Sequence, residues 1–204
     1  MPFFAEPELV SDDAAIWHKF DPSVKAELFS TAIATNEGIC LVDPSPVDPA
    51  GLSQLQAKLS IHAIVVTNQN HWRASTNLAR QLSVPIFAHG AAQLGDFEHT
   101  FVAVADGERI GRSLEVIAIE GAAAGEIALL SESGAGTLIV GDALINFEPY
   151  GFTLLPSKYC LDHRKMKKSL SRLLDHSFDR MFFAHGLPIM SGARSRLDAL
   201  LSAE

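Results

Sequence analysis

Residues 61–73, IHAIVVTNQNHWR, constrain the possible fold of this chain more than any other stretch. Residues 63–66 are apolar and mostly β-branched, which is typical of a short strand buried on both faces. Residues 67–73 are densely polar, and a helical pattern of apolar residues follows at Ala74, Leu78, Ala79 and Leu82. A buried strand that ends in a polar turn and opens a helix is typical of open α/β folds, where ligands bind at such turns.

The rest of the chain predicts strands on both sides of this unit. Strands are expected at 26–35, 39–42, 84–88, 114–119, 126–130, 137–140 and 181–184, and helices at 50–59, from 74 to 82, at 163–176 and from 192 onward. Residues 1–25 are predicted to be an irregular lead-in with one short edge element, and residues 146–160 to be loop. This order predicts an α/β fold of two mixed β-sheets packed face to face with helices outside. The length favours one domain over residues 1–204.

Several predicted strands end in polar residues, namely Asp43, Thr67, Asn68, Asp142 and His185. If these strand ends meet at one edge of the sheets, their side chains form a single site. Asp43 has two interpretations. It either orients a loop of that site or accepts backbone N–H bonds within its proline-flanked turn, and the second role is favoured.

Charge and cysteine content exclude several classes of function. The formal net charge of −8 has no basic run to offset it, so we expect no nucleic-acid partner. The basic residues of 164–168 lie in a predicted amphipathic helix, which favours a solvated face over an anion site. Cys40 and Cys160 give neither zinc-ribbon spacing nor a disulfide framework. The acidic, proline-broken N-terminus is expected not to be a signal peptide. No run of about 18 apolar residues exists, so we also expect no membrane partner and a cytoplasmic location.

Five motifs in chain order carry a family resemblance: LVDPSP at 41–46, TNQNHWR at 67–73, DGERI at 106–110 with GAAAGEIALL at 121–130, LIVGDAL at 138–144, and FFAHGLP at 182–188. Over nearly its whole length the chain resembles the metallo-β-lactamase superfamily. The resemblance implies a four-layer αββα sandwich of two mixed β-sheets with outer helices. It also implies a hydrolytic site for one or two metal ions at the sheet edges.

The metal-binding signature of that family, Thr-His-x-His-x-Asp-His, is altered in this chain. Asn68 and Asn70 stand in place of the first two histidines, Trp72 in place of the aspartate, and Arg73 in place of the last histidine. Ala122 stands where the glycine-rich loop would carry a histidine.

Two of the expected metal ligands remain. Asp142 matches the bridging carboxylate and His185 the final ligand, so they are the predicted metal ligands and the predicted catalytic pair. Catalytic zinc sites use three protein ligands, and a carboxamide oxygen binds zinc weakly. We therefore expect no cofactor, with zinc or another divalent metal as the alternative. Arg73 adds a fixed positive charge, which is expected to pair with Asp142.

The predicted ligand-binding residues are Asn68, Asn70, His71 and Arg73. The side chains of Asn68, Asn70 and Arg73 form a polar, cationic pocket floor suited to a small anion, and a structural hydrogen-bond network in place of the metal is an equally good interpretation. His71 has two interpretations. The favoured one is a residue at the start of a helix, and the other is the third member of a shifted group with Asp142 and His185.

The leading hypothesis is that the chain is a divergent member of this fold in which most metal ligands are replaced. Under this hypothesis it is not a binuclear zinc hydrolase, and it binds a small anionic ligand. One alternative is a metal-dependent hydrolase with a non-standard mononuclear site at Asp142 and His185. Another is a scaffold or partner-binding protein, for which Phe3, Phe4 and Trp17, expected to be exposed, are the only indications. Whether the chain is an enzyme, and whether it forms homo-oligomers, stay open.

Overall fold

Two mixed β-sheets packed face to face form the centre of the molecule, as the order of elements predicts. The computed structural model describes residues 6–93 and 100–203. In that part of the chain the strands are β1 (Glu8–Ser11), β2 (Ala14–Asp21), β3 (Ala26–Thr35), β4 (Gly38–Val42), β5 (Ile61–Val66), β6 (Ile86–His89), β7 (Val102–Val104), β8 (Arg109–Ile110), β9 (Leu114–Ala118), β10 (Ile127–Ser131), β11 (Thr137–Val140), β12 (Leu144–Phe147), β13 (Gly151–Leu154) and β14 (Arg180–Phe183). The helices are α1 (Pro49–Leu55), α2 (Ser75–Leu82), α3 (His163–Ser171) and α4 (Ala193–Ala203), and short 3₁₀ turns occupy Gly90–Ala92, Ser157–Tyr159 and Arg172–Asp175.

The first sheet has the strand order β1-β2-β3-β4-β5-β6-β7, and the second has the order β14-β11-β10-β9-β8. In the first sheet β1 to β4 pair antiparallel and β4 to β7 pair parallel. In the second, β14 pairs parallel with β11 and the other strands pair antiparallel. Parallel neighbours place their carboxyl ends at the same edge, so β4 and β5 end together, as do β11 and β14.

Three hydrophobic clusters define four layers. The inner faces of the two sheets share one cluster, in which Val42 and Val65 of the first sheet pack with Leu129 and Phe182 of the second. The outer face of the first sheet packs against α1 and α2. The outer face of the second sheet packs against α3 and α4. The predicted helix–sheet–sheet–helix sandwich is confirmed.

The strand β5 is buried on both faces, as its sequence predicts. Its residues alternate between two cores: Ala63 and Val65 lie between the sheets, whereas Ile64 and Val66 face the helices. Each of these four side chains has no exposed surface. Burial on this scale fixes the register of β5, because a slip by one residue would exchange the two faces, and it therefore fixes the turn that follows.

Two predictions of local structure are wrong. Residues 14–21 form a full strand, β2, which pairs with β3 over eight positions instead of belonging to an irregular lead-in. Residues 144–154 form the hairpin β12–β13 where a loop was expected. In both places cross-strand pairing decides the conformation, and a single stretch of sequence shows only weak alternation there. In the part of the chain that the structure describes, no helix is both long and apolar enough to cross a membrane.

Candidate functional site

Four polar strand ends meet at one edge of the sandwich. Asp43 follows β4, Thr67 and Asn68 follow β5, Asp142 follows β11 by two residues, and His185 follows β14 by two residues. Asp43 accepts hydrogen bonds from the Thr67 backbone N–H at 2.8 Å and from the Thr67 hydroxyl at 2.6 Å. This carboxylate joins the ends of β4 and β5, so the backbone N–H that it accepts belongs to the neighbouring strand end and not to its own proline-flanked turn. Its Oδ2 lies 2.9 Å from His71 Nδ1, so Asp43 contacts the site loop, which is the interpretation that was not favoured.

Two histidines face one oxygen of Asp142. His71 Nε2 and His185 Nε2 each lie 3.1 Å from Asp142 Oδ1. The ligand atoms of His71, Asp142 and His185 lie within 4.8 Å of one another. Among residues 6–93 and 100–203, this is the group of histidine, cysteine, aspartate and glutamate side chains that is close enough to hold a metal ion. His71 belongs to the turn before α2, which begins at Ser75. Of its two interpretations, the grouping with Asp142 and His185 is therefore the one that its position matches.

The outer nitrogen of each ring is held by an acceptor. His71 Nδ1 lies 2.9 Å from Asp43 Oδ2 and 2.9 Å from the Thr67 hydroxyl oxygen. His185 Nδ1 lies 3.1 Å from the Glu27 carbonyl oxygen in β3, to which it donates. Contacts of this kind fix the ring orientation and tautomer and leave Nε2 directed at the shared partner. Both rings are therefore oriented with Nε2 toward Asp142.

The charges of this cluster are strongly coupled. Burial alone would lower the pKa of His71, but the Asp142 and Asp43 carboxylates outweigh burial and raise it to about 9. Burial likewise opposes ionisation of Asp142, but His71 and His185 hold the pKa of its carboxyl well below the usual range. The pKa of Asp43 is lowered in the same way, against its burial, by His71 and then by Arg73. Without a metal the cluster therefore carries two carboxylates and an imidazolium at neutral pH.

The other oxygen of Asp142 faces two amides. Asn68 Nδ2 lies 3.2 Å and Asn70 Nδ2 lies 3.3 Å from Asp142 Oδ2, and both donate to it. Asn68 is fully buried, whereas Asn70 is exposed at the mouth of the site. The two asparagines thus lie where the signature would place histidines, and they bind the carboxylate through hydrogen bonds.

Arg73 does not form the expected ion pair with Asp142. Its guanidinium donates to the backbone carbonyl oxygens of Phe29, of Asp43 at 2.8 Å, and of Ala184 at 3.4 Å. These carbonyls belong to β3, to the end of β4 and to the end of β14, so Arg73 binds together the strand ends beneath the site. The predicted cationic pocket floor is wrong in this respect, because the charge is directed at backbone oxygens and not toward a ligand.

Two other replaced ligand positions carry side chains that cannot bind a cation. Trp72 is buried, and its indole N–H donates to the Ala92 carbonyl oxygen at 2.8 Å. Ala122 is fully buried in the core beside α3. Together with the two asparagines, these positions carry no imidazole or carboxylate group for a metal ion.

Glu126 is a site residue that the sequence reasoning missed. Its carboxylate is buried and accepts from Asn68 Nδ2 at 2.6 Å and from the Ala143 backbone N–H at 3.0 Å. Burial and the neighbouring Asp142 charge raise the pKa of Glu126 to about 8. A single acidic residue in the otherwise small and apolar stretch GAAAGEIALL was the signal that could have identified it.

The donor set fits one divalent metal ion. Two imidazole nitrogens and a carboxylate oxygen converge, both rings are oriented by outer contacts, and catalytic zinc sites use three such protein ligands with one open position. His71 would have to release its extra proton on binding, so metal affinity would rise with pH. The buried side chains are His71 and Asp142, and His185 is partly exposed, which makes it the ligand nearest the solvent.

The remaining sequence predictions concern residues away from the site. Trp17, expected to be exposed, is buried, and its indole N–H donates to the Ser45 carbonyl oxygen at 3.1 Å. That prediction is wrong because β2 is a sheet strand and its Trp17 side chain packs in the core beneath α1. Phe3 and Phe4 lie outside the described residues.

Two of the three comparisons with known proteins found similar proteins. The family model described as metallo-beta-lactamase superfamily matches residues 7–203. No match was found among curated proteins.

The fold is similar to that of three solved structures, each at low sequence identity. A metallo-beta-lactamase from Pontibacter korlensis is 16% identical with a TM-score of 0.74, over 98% of this chain and 100% of that chain. A metallo-beta-lactamase family protein from Thermus thermophilus is 18% identical with a TM-score of 0.67, over 96% and 80% of the two chains. A beta-lactamase domain protein from Burkholderia ambifaria is 15% identical with a TM-score of 0.68, over 96% and 75%.

Proposed function

This chain belongs to the metallo-beta-lactamase superfamily, and we propose that it is a mononuclear metal-dependent hydrolase in which His71, Asp142 and His185 bind a single divalent ion. The observation that carries the proposal is the position of two imidazole Nε2 atoms, each 3.1 Å from the same oxygen of Asp142. Zinc is the expected ion, because imidazole nitrogen with one carboxylate oxygen suits its ligand preference.

The three ligands have distinct roles. His71 is a buried anchor whose ring is fixed by Asp43. His185 lies at the solvent side and is fixed by the Glu27 carbonyl oxygen. Asp142 stays ionised at neutral pH, because its pKa lies well below the usual range, and its Oδ1 is the anionic ligand between the rings. A bound zinc ion of this kind supplies a polarised water as nucleophile and a Lewis acid for esters, amides or phosphodiesters.

The protein would contribute polar contacts to a substrate through Asn70. Its side chain is exposed at the mouth of the site, and its amide contacts Asp142 Oδ2 at 3.3 Å. The amide of Asn68 is buried behind it and bound on both sides. Arg73 is directed at backbone oxygens, so it holds the strand ends in place and offers no contact to an anion. Asn70 is therefore the member of the predicted ligand-binding set that a substrate can reach.

A second candidate function is supported by the charge balance of the cluster. Asp43 and Asp142 carry two negative charges, His71 lies against both carboxylates, and the nearby Arg73 charge helps to lower the pKa of Asp43, so the network is balanced without a metal ion. A protein of this kind would retain the fold as a scaffold or binding module. It would have no hydrolase activity, because its interior ion pairs replace the metal.

Activity assays on the zinc-loaded protein separate the two candidates. The assay measures hydrolysis of a nitrophenyl ester, a lactone and bis-nitrophenyl phosphate by chelator-treated protein with and without added zinc. The hydrolase proposal predicts zinc-dependent turnover of at least one substrate, and a loss of roughly 100-fold or more in Asp142→Asn and His185→Ala. The matched control His89→Ala, at the end of β6 with its ring bonded to the Ala91 N–H, should keep full activity. Equal rates in the wild type and Asp142→Asn would contradict the proposal.

A further inference from the structure

Glu126 is a buried carboxylate that the metal site does not directly use. Its side chain is 3% exposed, and among the described residues it forms no ion pair with a lysine, arginine or histidine. A buried carboxyl group without a cation destabilises a fold unless hydrogen bonds compensate for the lost hydration of its oxygens. Such groups cluster at functional sites, so the partners of Glu126 indicate what it does.

The partners of Glu126 lead directly to Asp142. Asn68 Nδ2 donates to Glu126 Oε2 at 2.6 Å and to Asp142 Oδ2 at 3.2 Å, so a single amide group bridges the two carboxylates. The orientation of this amide is set by its other end, because Asn68 Oδ1 accepts the Asn70 backbone N–H at 2.8 Å. With its oxygen committed there, the NH₂ group has to face the carboxylates.

This bridge assigns different partners to the two oxygens of Asp142. The amides of Asn68 and Asn70 occupy Oδ2, and the rings of His71 and His185 face Oδ1. A carboxylate held at one oxygen presents the other in a fixed direction. The position of the anionic ligand therefore depends on Asn68, and the position of Asn68 depends on Glu126.

The backbone on both sides of Asp142 also contacts or makes room for Glu126. Its Oε1 accepts the Ala143 N–H at 3.0 Å, next to Asp142 in the chain. A Cβ atom at Gly141 would lie 2.7 Å from Glu126 Oε1 and 2.7 Å from the Thr67 hydroxyl oxygen, so a glycine is needed to make room. Glu126, Asn68 and Gly141 thus form one fitted unit behind the site.

We infer that Glu126 is a positioning residue that sets the Asp142 carboxylate for the two histidines, acting through the Asn68 amide. The inference rests on the proposed function for its role in metal binding, although the positions of the rings do not depend on a metal. It assigns a role to Asn68, which stands where the family signature carries a histidine, and to Glu126, which no sequence motif identified.

The variant Glu126→Gln tests the inference with little change in shape. Ala143 and Asn68 donate to different oxygens of Glu126. Glutamine replaces one of these oxygens with an NH₂ group, which cannot accept, so one of the two donors loses its partner. Imidazole ¹⁵N NMR on metal-free protein is the first readout. The His71 and His185 ring signals should shift, whereas His62, which contacts Thr35 at 3.1 Å on another part of the surface, should not. The exposed control Glu120→Gln, which loses an ion pair with Lys165, should leave all of these signals unchanged.

Zinc affinity of the full chain is the second readout. Changing a residue behind the ligands typically weakens metal binding 10- to 100-fold, and we expect a loss of roughly tenfold in Glu126→Gln. A double-mutant cycle identifies the route, because in an Asn68→Ala background Glu126→Gln should add less than about twofold.

The outcomes are separable. Unshifted His71 and His185 signals in Glu126→Gln overturn the inference, and so do independent, multiplying losses of zinc affinity in the double mutant. A wild type that binds no zinc contradicts the proposed function, and the ring signals alone then decide whether Glu126 positions Asp142.

Discussion

Replacing Arg73 by methionine should strongly destabilise the protein, because one side chain binds three strand ends. The guanidinium donates to carbonyl oxygens of Phe29, Asp43 and Ala184, which lie in both sheets. Methionine has a similar length and no donor. The Arg73→Met variant therefore keeps much of the packing while removing the hydrogen bonds and leaving carbonyl oxygens without this partner.

The magnitude follows from the individual contacts. A hydrogen bond from a charged donor contributes about 1.5–3 kcal/mol. The contact to Ala184 is long at 3.4 Å, and that oxygen also accepts the Phe29 N–H at 2.9 Å, so it should add little. The two contacts to Phe29 and Asp43 then give a loss of about 3–6 kcal/mol in the free energy of unfolding. For a chain of this length this corresponds to a fall of roughly 6–24 °C in Tm.

Urea unfolding followed by circular dichroism, in chelator at pH 7, measures this loss without a contribution from metal binding. Arg73→Lys should recover at most about half of it, because a single ammonium cannot span the same carbonyls. Arg80→Met, on the exposed face of α2, is the matched control and should change stability by less than about 0.5 kcal/mol. An Arg73→Met variant within about 1 kcal/mol of that control would refute the reasoning.

Two further predictions concern single ionisable groups. In metal-free protein the pKa of His71 is raised to about 9 from an ordinary 6.5, so the stabilisation by its charged form is complete below pH 6.5 and is lost as the pH rises through 9. In urea unfolding from pH 6 to 10, the wild type should lose about 3 kcal/mol more than His71→Gln. Parallel pH profiles for the two proteins would contradict this. Cys40 is fully buried, and burial raises the pKa of its thiol to about 12. A thiol reagent should therefore modify Cys160 in the native protein and Cys40 only in denaturant. Equal reactivity of the two cysteines in the native protein would show that the core around β4 opens readily.

The fold could be predicted because its central elements carry strong local patterns. The run at 63–66 is apolar on both faces, and it is buried on both faces between two cores. Polar residues at Asp43, Thr67 and Asp142 mark strand ends, which parallel pairing brings to a common edge. By contrast, β2 and the hairpin β12–β13 depend on pairing with distant partners, and their own sequences alternate too weakly to show it.

The candidate site could be located from the sequence, but its internal contacts could not be. Asp142 and His185 were visible as retained motif residues. The Arg73 side chain donates to backbone carbonyl oxygens and not to Asp142. Its backbone has a positive φ of 37°, a conformation that no sequence motif specifies. The role of Glu126 could not be predicted because its hydrogen-bond partner Asn68 is 58 residues away in the chain.

Zinc binding to chelator-treated protein, measured by titration calorimetry with elemental analysis of the dialysed complex, decides whether the metal centre exists. The proposed site predicts a single zinc ion per chain with tight binding, weakened roughly 100-fold or more when His71, Asp142 or His185 is replaced by alanine. Because His71 gives up a proton, the apparent affinity should rise between pH 6 and 9. A wild type that retains no zinc, or equal binding by His71→Ala, would contradict the site.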